Sequence, residues 1–204
     1  MIKNPYSGKL ISIDGLDGSG KSVQAGLLKL FLEKNGKDVY LTHYPTEKSQ
    51  YSTEIQKALK KEIILDSYQL HTLMAKDRAE DFFNYVIPAL KNGMFVISDR
   101  SAFSSLAVGP RNDEELAKYE ELNKEFFLPD LGMIILLRPE TSLQRIIARG
   151  EKIEEYENLE NLRIAYQSYE KLATKYGLFV INGEQTIENV HENIKALVKE
   201  VLLN

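Results

Sequence analysis

The chain has 204 residues, no cysteine and a formal net charge of −4. That length can bury a sizeable core without staples, and the lack of thiols excludes disulfides and thiolate metal sites. The mild acidity, with Lys60-Lys61 the only adjacent basic pair, argues against a nucleic-acid-binding face.

Taken in chain order, short apolar runs alternate with stretches of helical spacing. Leu10–Ile13 predicts a strand, and a glycine-rich run follows it. Val23–Asn35 carries a helical stripe of Leu27, Leu28, Leu30, Phe31 and Leu32, and Gly36 stands where that helix should stop. Val39–Thr42 predicts the second strand. Ser67–Leu90 predicts one long helix, closed near Gly93. Phe95–Ser98, Met133–Leu137 and Leu178–Ile181 predict three more strands, and Thr141–Arg149, Leu159–Tyr176 and Thr186–Leu203 predict helices. Strands that are apolar throughout belong in the middle of a parallel sheet, buried on both faces. Strand-helix alternation along the chain predicts an α/β fold, a three-layer, doubly wound, parallel five-stranded sheet. No linker or repeat interrupts it, so residues 1–204 are expected to form one domain. The apolar runs are too short to span a bilayer. Met1–Pro5 leads into no apolar core, so no secretory signal is expected and the cytoplasm is the expected compartment.

The run Gly15-Leu16-Asp17-Gly18-Ser19-Gly20-Lys21-Ser22 fits the spacing G-x-x-x-x-G-K-[ST] of a phosphate-binding loop. Between a strand and a helix, such a loop turns backbone N–H groups toward a polyphosphate. Glycines permit the φ angles and the close approach. The free N–H groups of the helix start add to the cradle. Lys21 can reach the β and γ oxygens, and the Ser22 hydroxyl can ligate magnesium. Gly15, Gly18, Ser19, Gly20, Lys21 and Ser22 are therefore the expected ATP-binding residues. The loop alone does not choose between a switch, a motor and a kinase. A GTPase switch needs Asn-Lys-x-Asp, and the nearest string, Asn123-Lys124-Glu125-Phe126, lacks the aspartate.

Two later stretches could build a second pocket. On the Ser67–Leu90 helix, Met74 and Arg78 stand at i and i+4 and share a face. They could offer an apolar surface and a guanidinium to one ligand, or be a buried Met and an Arg paired with Glu80 or Asp81. At the tip of the Phe95–Ser98 strand stand Asp99 and Arg100. Ligands of open parallel sheets bind at strand carboxyl ends. Asp99 is placed to hold magnesium, and Arg100 to grip a phosphate with its planar fork. The competing reading is a surface pair, with Asp99 capping the next helix. Glu47, after the second strand, is a possible carboxylate base. His43, His71 and His191 show no metal or triad spacing, and a structural role is expected for His43.

Several of these stretches together resemble the thymidylate kinases, a family of P-loop nucleoside monophosphate kinases. IDGLDGSGKS is similar to I-E-G-x-D-G-[ST]-G-K-[ST], with Asp14 for the usual Glu. YPTEKS is similar to the loop after the second strand, LMAKDRAED to L-F-x-x-D-R-A-x-H, and VISDRSAFSSLAVGP to V-I-x-D-R-Y-x-x-S-x-x-A-Y-Q-G. LPDLGMIILLRPETSLQRIIARG is similar to the P-D-x-x-x-x-L-x-x-x-P-E-x-x-x-x-R unit. The resemblance implies transfer of the ATP γ-phosphoryl group to dTMP, with Mg2+ as cofactor and a homodimer with a seam along Ser67–Leu90. It implies catalytic roles for Lys21, Asp17, Arg100 and a lid arginine. It implies an acceptor site of Asp17, Tyr44, Met74, Arg78, Arg100, Ser104 and Ser105, and metal contacts from Ser22 and Asp99. The lid would span 149–158. Glu154-Glu155 replaces its usual Asp-Arg, which leaves Arg149 as the lid cation, while Arg145 and Arg163 are expected to pair with nearby glutamates.

Three departures fall in the acceptor site. Met74 stands where the family stacks a Phe on the base, Ser101 replaces an aromatic or His, and Val108-Gly109 replaces a Tyr-Gln type pair. Either Tyr68 or Phe103 takes over the stacking, or the base preference has changed toward dUMP or dGMP. Asp99-Arg100-Ser101 also echoes the Glu-Arg-Ser motif of deoxynucleoside kinases, the alternative reading, with Glu47 as the base.

Overall fold

A computed structural model of the chain describes residues 1–150 and 156–203. Its elements run β1 (Ile2–Lys3), β2 (Lys9–Gly15), α1 (Lys21–Lys34), β3 (Val39–His43), α2 (Ser52–Leu59), α3 (Ser67–Asp81), α4 (Ile87–Lys91), β4 (Phe95–Asp99), α5 (Ala102–Val108), α6 (Asp113–Leu122), β5 (Phe127–Leu128), β6 (Leu131–Leu136), α7 (Pro139–Ala148), α8 (Leu159–Tyr176), β7 (Phe179–Asn182) and α9 (Ile187–Val198). The five expected strands form a fully parallel sheet of order β3-β4-β2-β6-β7. Short β1 and β5 pair separately.

Strand alternation separates two apolar layers. Ile11, Ile13, Ile97, Met133 and Ile135 pack with Ala25, Leu28 and Leu32 of α1 and with Val190, Ile194 and Val198 of α9. Ile134 and Leu136 face the other way, against Phe103 and Leu106 of α5 and Leu162, Tyr169 and Leu172 of α8. On that same side Leu10 and Val96 meet Phe82, Val86 and Leu90. Burial of each such side chain contributes about 1.5–3 kcal/mol, so the sheet's central strands are anchored from both sides.

The long helix expected over Ser67–Leu90 is interrupted. Residues Phe82–Val86 form a π-helical turn between α3 and α4. Pro88 has no N–H to give back to the preceding turn and its ring crowds that turn, and a widened turn relieves both. The helix begins cleanly: Asp66 accepts from the Gln69 backbone while the Gln69 side chain accepts from the Asp66 N–H, a capping box. Sequence reading missed α2, α5 and α6. Helix α5 is buried at Ala102 through Ala107, so it has no polar stripe to reveal its period. Helix α6 is mostly polar, with only Tyr119 buried. No helix among the described residues is long and apolar enough to cross a membrane.

Candidate active site

Strand β2 and its successor form the first half of the site. The chain leaves the sheet at Gly15 (φ 139°) and winds through Gly18 (φ 74°) and Gly20 (φ 88°) into α1. A Cβ on Gly15 would lie 2.2 Å from the Ile135 carbonyl oxygen, and one on Gly18 would lie 2.9 Å from that of Ser142. Both positions therefore exclude other side chains on backbone angle and on space. Lys21 folds back over the loop and donates to the Leu16 carbonyl at 2.7 Å. Its ammonium lies 3.6 Å from Asp17. Burial lowers the Lys21 pKa to about 8, with Arg100 pushing the same way against Asp17 and Asp99. Ser22 is exposed at the start of α1. A hollow beside the loop is lined by Ser19, Gly20, Val23, Gln24, Arg145 and Gln185, among others.

The second half hangs from the tip of β4. Ile13 pairs with Asp99 across β2 and β4, and the Arg100 N–H donates to the Ile13 carbonyl at 2.9 Å. Arg100 then turns into the left-handed region, at φ 69°, a conformation that costs a non-glycine residue about 1–3 kcal/mol. The turn carries its guanidinium onto the Asp17 carboxylate, with which it forms a tight ion pair. Burial opposes charge on both, but the pair outweighs it. Asp17 is held down at about 2, and Arg100 is carried above the usual arginine range. Asp99 is 7% exposed and its Oδ1 has no hydrogen-bond partner among the described residues. It does not cap α5; Ser101 does, accepting from the Phe103 N–H. The surface-pair reading of Asp99-Arg100 therefore does not hold.

Between these halves opens a pocket lined by Asp17, Tyr44, Pro45, Leu59, His71, Met74, Arg78, Arg100, Ser104, Ser105, Val108, Tyr156 and Glu157. All seven residues expected at the acceptor side line it. Arg78 is buried and pairs with neither Glu80 nor Asp81. It donates to Asn123 Oδ1 (2.7 Å), to the Ser101 carbonyl (3.2 Å) and to Ser105 Oγ (3.3 Å), leaving Nε without a partner. Its guanidinium lies over the Tyr44 and Phe126 rings. The acids beside it serve the wall instead. Asp77 accepts from the Thr46 N–H and hydroxyl and from Ser49. Asp81 accepts from the hydroxyls of Tyr40, Thr42 and Tyr44. The loop after β3 is thus sewn to α3, and Tyr44 is fixed against Arg78.

Other expectations fail at this pocket. Tyr68 is exposed and packs edge-on to Tyr119, while Phe103 lies in the core against Tyr176. Neither borders the pocket; rings come instead from Tyr44, His71 and Tyr156. Glu47 is exposed and lines a separate surface hollow with Thr53, Gln56 and Lys60, so it is not placed as a base. His43 is exposed at the end of β3. Arg163 pairs with Glu140 at 2.7 Å, as expected. Among the described residues Arg145 pairs with no glutamate; it reaches the Gly18 carbonyl at 3.4 Å. Arg149 pairs with the buried Glu157 and adds to the positive field around Asp17. Residues 151–155 of the expected lid, with Glu154-Glu155, lie outside the described residues. Sequence reading missed His71, Tyr156 and Glu157. His71 had a usable signal, standing three and seven residues before Met74 and Arg78 on one helix face. Tyr156 and Glu157 had none.

A phosphate loop and a strand-tip arginine that meet at one aspartate, with a pocket for a second ligand beside them, define a P-loop phosphotransferase that faces two substrates. A family model described as thymidylate kinase matches residues 13–194. The chain is 37% identical to a probable thymidylate kinase of Pyrococcus abyssi, covering 96% of this chain and 98% of that one. It is 31% identical to the thymidylate kinase of Caldicellulosiruptor saccharolyticus, over 96% and 98% of the two chains. It is also 31% identical to probable thymidylate kinase 2 of Saccharolobus solfataricus, over 97% and 98%. The chain belongs to the thymidylate kinase family, and so to the ATP-dependent nucleoside monophosphate kinases.

Proposed function

We infer that this chain performs its family's reaction in the cleft described above: the γ-phosphoryl group of ATP passes to the phosphate of dTMP, giving dTDP and ADP. The observation that carries this reading is the Arg100 guanidinium turned onto Asp17 inside the phosphate loop. This supports the reading that Arg100 serves as the cation for the acceptor phosphate, next to the loop proposed to cradle the donor. Two polyanions repel at close range. Catalysis of phosphoryl transfer is largely their positioning and the screening of charge on the transferred oxygens.

On this reading the loop from Gly15 to Ser22 holds the ATP phosphates, with Gly15, Gly18, Ser19 and Gly20 supplying the close backbone. Lys21 moves from the Leu16 carbonyl to the β and γ oxygens. Arg100 exchanges Asp17 for the acceptor phosphate, and Asp17 is left to meet the acceptor sugar and phosphate. Arg149, released from Glu157, is the lid cation over the transferred group, and residues 149–158 act as that lid on a single domain of 1–204. Met74 and Tyr44 cover the base, Arg78 reads its edge, and Ser104 and Ser105 add hydrogen bonds. The divalent ion is assigned as Mg2+. The donors offered to it are oxygens only: the exposed Ser22 hydroxyl and the buried, unpartnered Asp99 Oδ1. Mg2+ suits one or two protein oxygens completed by substrate phosphates. When bound, the ion neutralises charge on the phosphates.

A homodimer is supported by Phe83 and Tyr85, 60% and 50% exposed on the π-helical turn along the expected seam. The cytoplasm, where ATP is at hand, is the proposed compartment. The deciding assay offers ATP and Mg2+ with dTMP, dUMP, dGMP, dCMP and free thymidine in turn. The expected result is fastest turnover of dTMP and none of thymidine. Turnover of thymidine alone would replace the reading with a deoxynucleoside kinase. A preference for dUMP or dGMP would keep the chemistry and change the base.

A further inference from the structure

Asp14 is fully buried at the end of β2, directly before the phosphate loop, and the reaction above makes no use of it. Its carboxylate is not idle. Oδ1 accepts from the Ser101 N–H at 2.9 Å and from the Ser104 hydroxyl at 2.7 Å, and Oδ2 accepts from the Ser101 hydroxyl at 2.7 Å. The Tyr169 hydroxyl of α8 donates to Ser104 Oγ at 3.2 Å, extending the network to a third element. Ser101 directly follows Arg100, and Ser104 stands a turn later in α5. The peptide groups on both sides of Arg100 are pinned. Its own N–H is held by Ile13, its carbonyl accepts from the Ser98 hydroxyl, and the next N–H is held by Asp14. A left-handed arginine persists only where its surroundings over-determine it, and these contacts do so.

We propose that Asp14 is the positioning residue of the acceptor arginine, its carboxylate clamping Ser101 and Ser104 so that Arg100 points into the cleft between the two nucleotides. The proposal rests on the kinase reading for its kinetic consequence, not for its geometry. The carboxylate's hydrogen bonds go to Ser101 and Ser104. Its effect on the reaction passes through Arg100.

The test is a double-mutant cycle between Asp14 and Arg100, run with wild type first shown to phosphorylate dTMP. Asp14→Ala should lower kcat/KM for dTMP about 100-fold, the scale of a misplaced reacting group. ATP affinity, by direct titration, should stay within about threefold, as for an interaction confined to the acceptor. On an Arg100→Ala background the same change should cost less than about twofold, because the two residues act as a unit. Asp14→Asn keeps the volume and one acceptor oxygen and should fall between; should Asp14→Ala not fold, the cycle is closed with Asp14→Asn. Losses that multiply, or an ATP affinity that falls with the acceptor kinetics, would overturn the proposal and make Asp14 a prop of the phosphate loop. A readout independent of turnover is the Arg100 Nε–H resonance, assigned by its disappearance in Arg100→Ala. It should be sharp in wild type and broadened in Asp14→Asn, and an unchanged signal would count against the clamp even if the acceptor proved not to be dTMP.

Discussion

The two halves of the cleft are built by opposite means. The proposed donor side is eight consecutive residues, Gly15 to Ser22, whose main chain would do the binding; Gly15, Gly18 and Gly20 are required by φ, and the first two also by the carbonyls of Ile135 and Ser142. The acceptor side is an assembly of side chains from the phosphate loop, the loop after β3, α3, α5 and residues 156–157. A main-chain site tolerates little change in spacing and carries its sequence with it. A side-chain site can exchange members, provided the walls still close. Of the positions that differ from the motifs the chain resembles, Met74 and Val108 line the acceptor pocket, while Ser101 and Asp14 bond each other beside Arg100. Meanwhile Lys21, Ser22 and the three glycines follow the pattern.

Arg100→Ala is the sharpest way to separate the halves. Removing one preorganised electrostatic contact costs on the order of 10²–10³ in rate. The expected result is that loss in kcat/KM for dTMP, with ATP affinity changed only a few-fold. An equal loss on the ATP side would mean that Arg100 belongs to the donor half.

The next effect belongs to the donor half. Lys21 is poised at about 8 by burial and by Arg100, so in free enzyme it loses its charge above that pH. kcat/KM for ATP should fall about tenfold per unit beyond the limb near pH 8. The limb of kcat should lie at higher pH, because bound phosphates stabilise the ammonium. A flat profile from pH 7 to 10 would show that the ammonium is not titrating, and the donor half would then need another cation.

Acceptor-wall chemistry should be visible in stability. Burial holds the His71 pKa down at about 3, helped by the positive charges of Arg78 and Arg111. Its ring packs between Tyr119 and Tyr156, and neither nitrogen has a hydrogen-bond partner among the described residues. The unfolded chain takes up the proton below about 6.5 and the folded one does not. This group's contribution is therefore complete above pH 6.5 and is lost as pH falls toward 3. Denaturant unfolding of wild type should steepen over that window by up to about 1.4 kcal/mol per pH unit relative to His71→Phe. Parallel pH curves would place a proton on the folded imidazole.

This contrast also explains what could be read from sequence. The five strands were legible because each is short and apolar; β2, β4 and β6 are buried on both faces, as in Val96 and Ile97, while the edge strands β3 and β7 are only partly covered, with Phe179 and Val180 exposed. The phosphate loop was legible because its function is its spacing. Helix α5 was not, since burial on all sides erased its period. Arg78 was undecidable because its partner is Asn123, 45 residues away, and no local spacing encodes that. Asn123 itself surfaced only as part of a failed GTPase match. His71 was read only for metal or triad spacing, which it lacks; the helix stripe it shares with Met74 and Arg78 was the missed clue. Tyr156 and Glu157 reach the pocket only through the tertiary path of the chain.

The smallest expected effect tests what Met74 contributes. An aromatic stacked on a base is worth about 1–3 kcal/mol. A thioether covers the same face with more freedom and less shape selection. With rings of Tyr44, His71 and Tyr156 already in the pocket, truncation at Met74 removes one apolar contact from a wall that still closes. Met74→Ala should therefore raise KM for dTMP about fivefold, or about 1 kcal/mol, with kcat unchanged, the signature of binding felt equally in ground and transition states. The same variant should narrow the preference for dTMP over dUMP, because the thymine methyl loses a neighbour whose contact is worth about 0.8 kcal/mol. A fall in kcat at constant KM would instead place Met74 at the reacting phosphates, and the division of the cleft into a rigid donor half and an adaptable acceptor half would not stand.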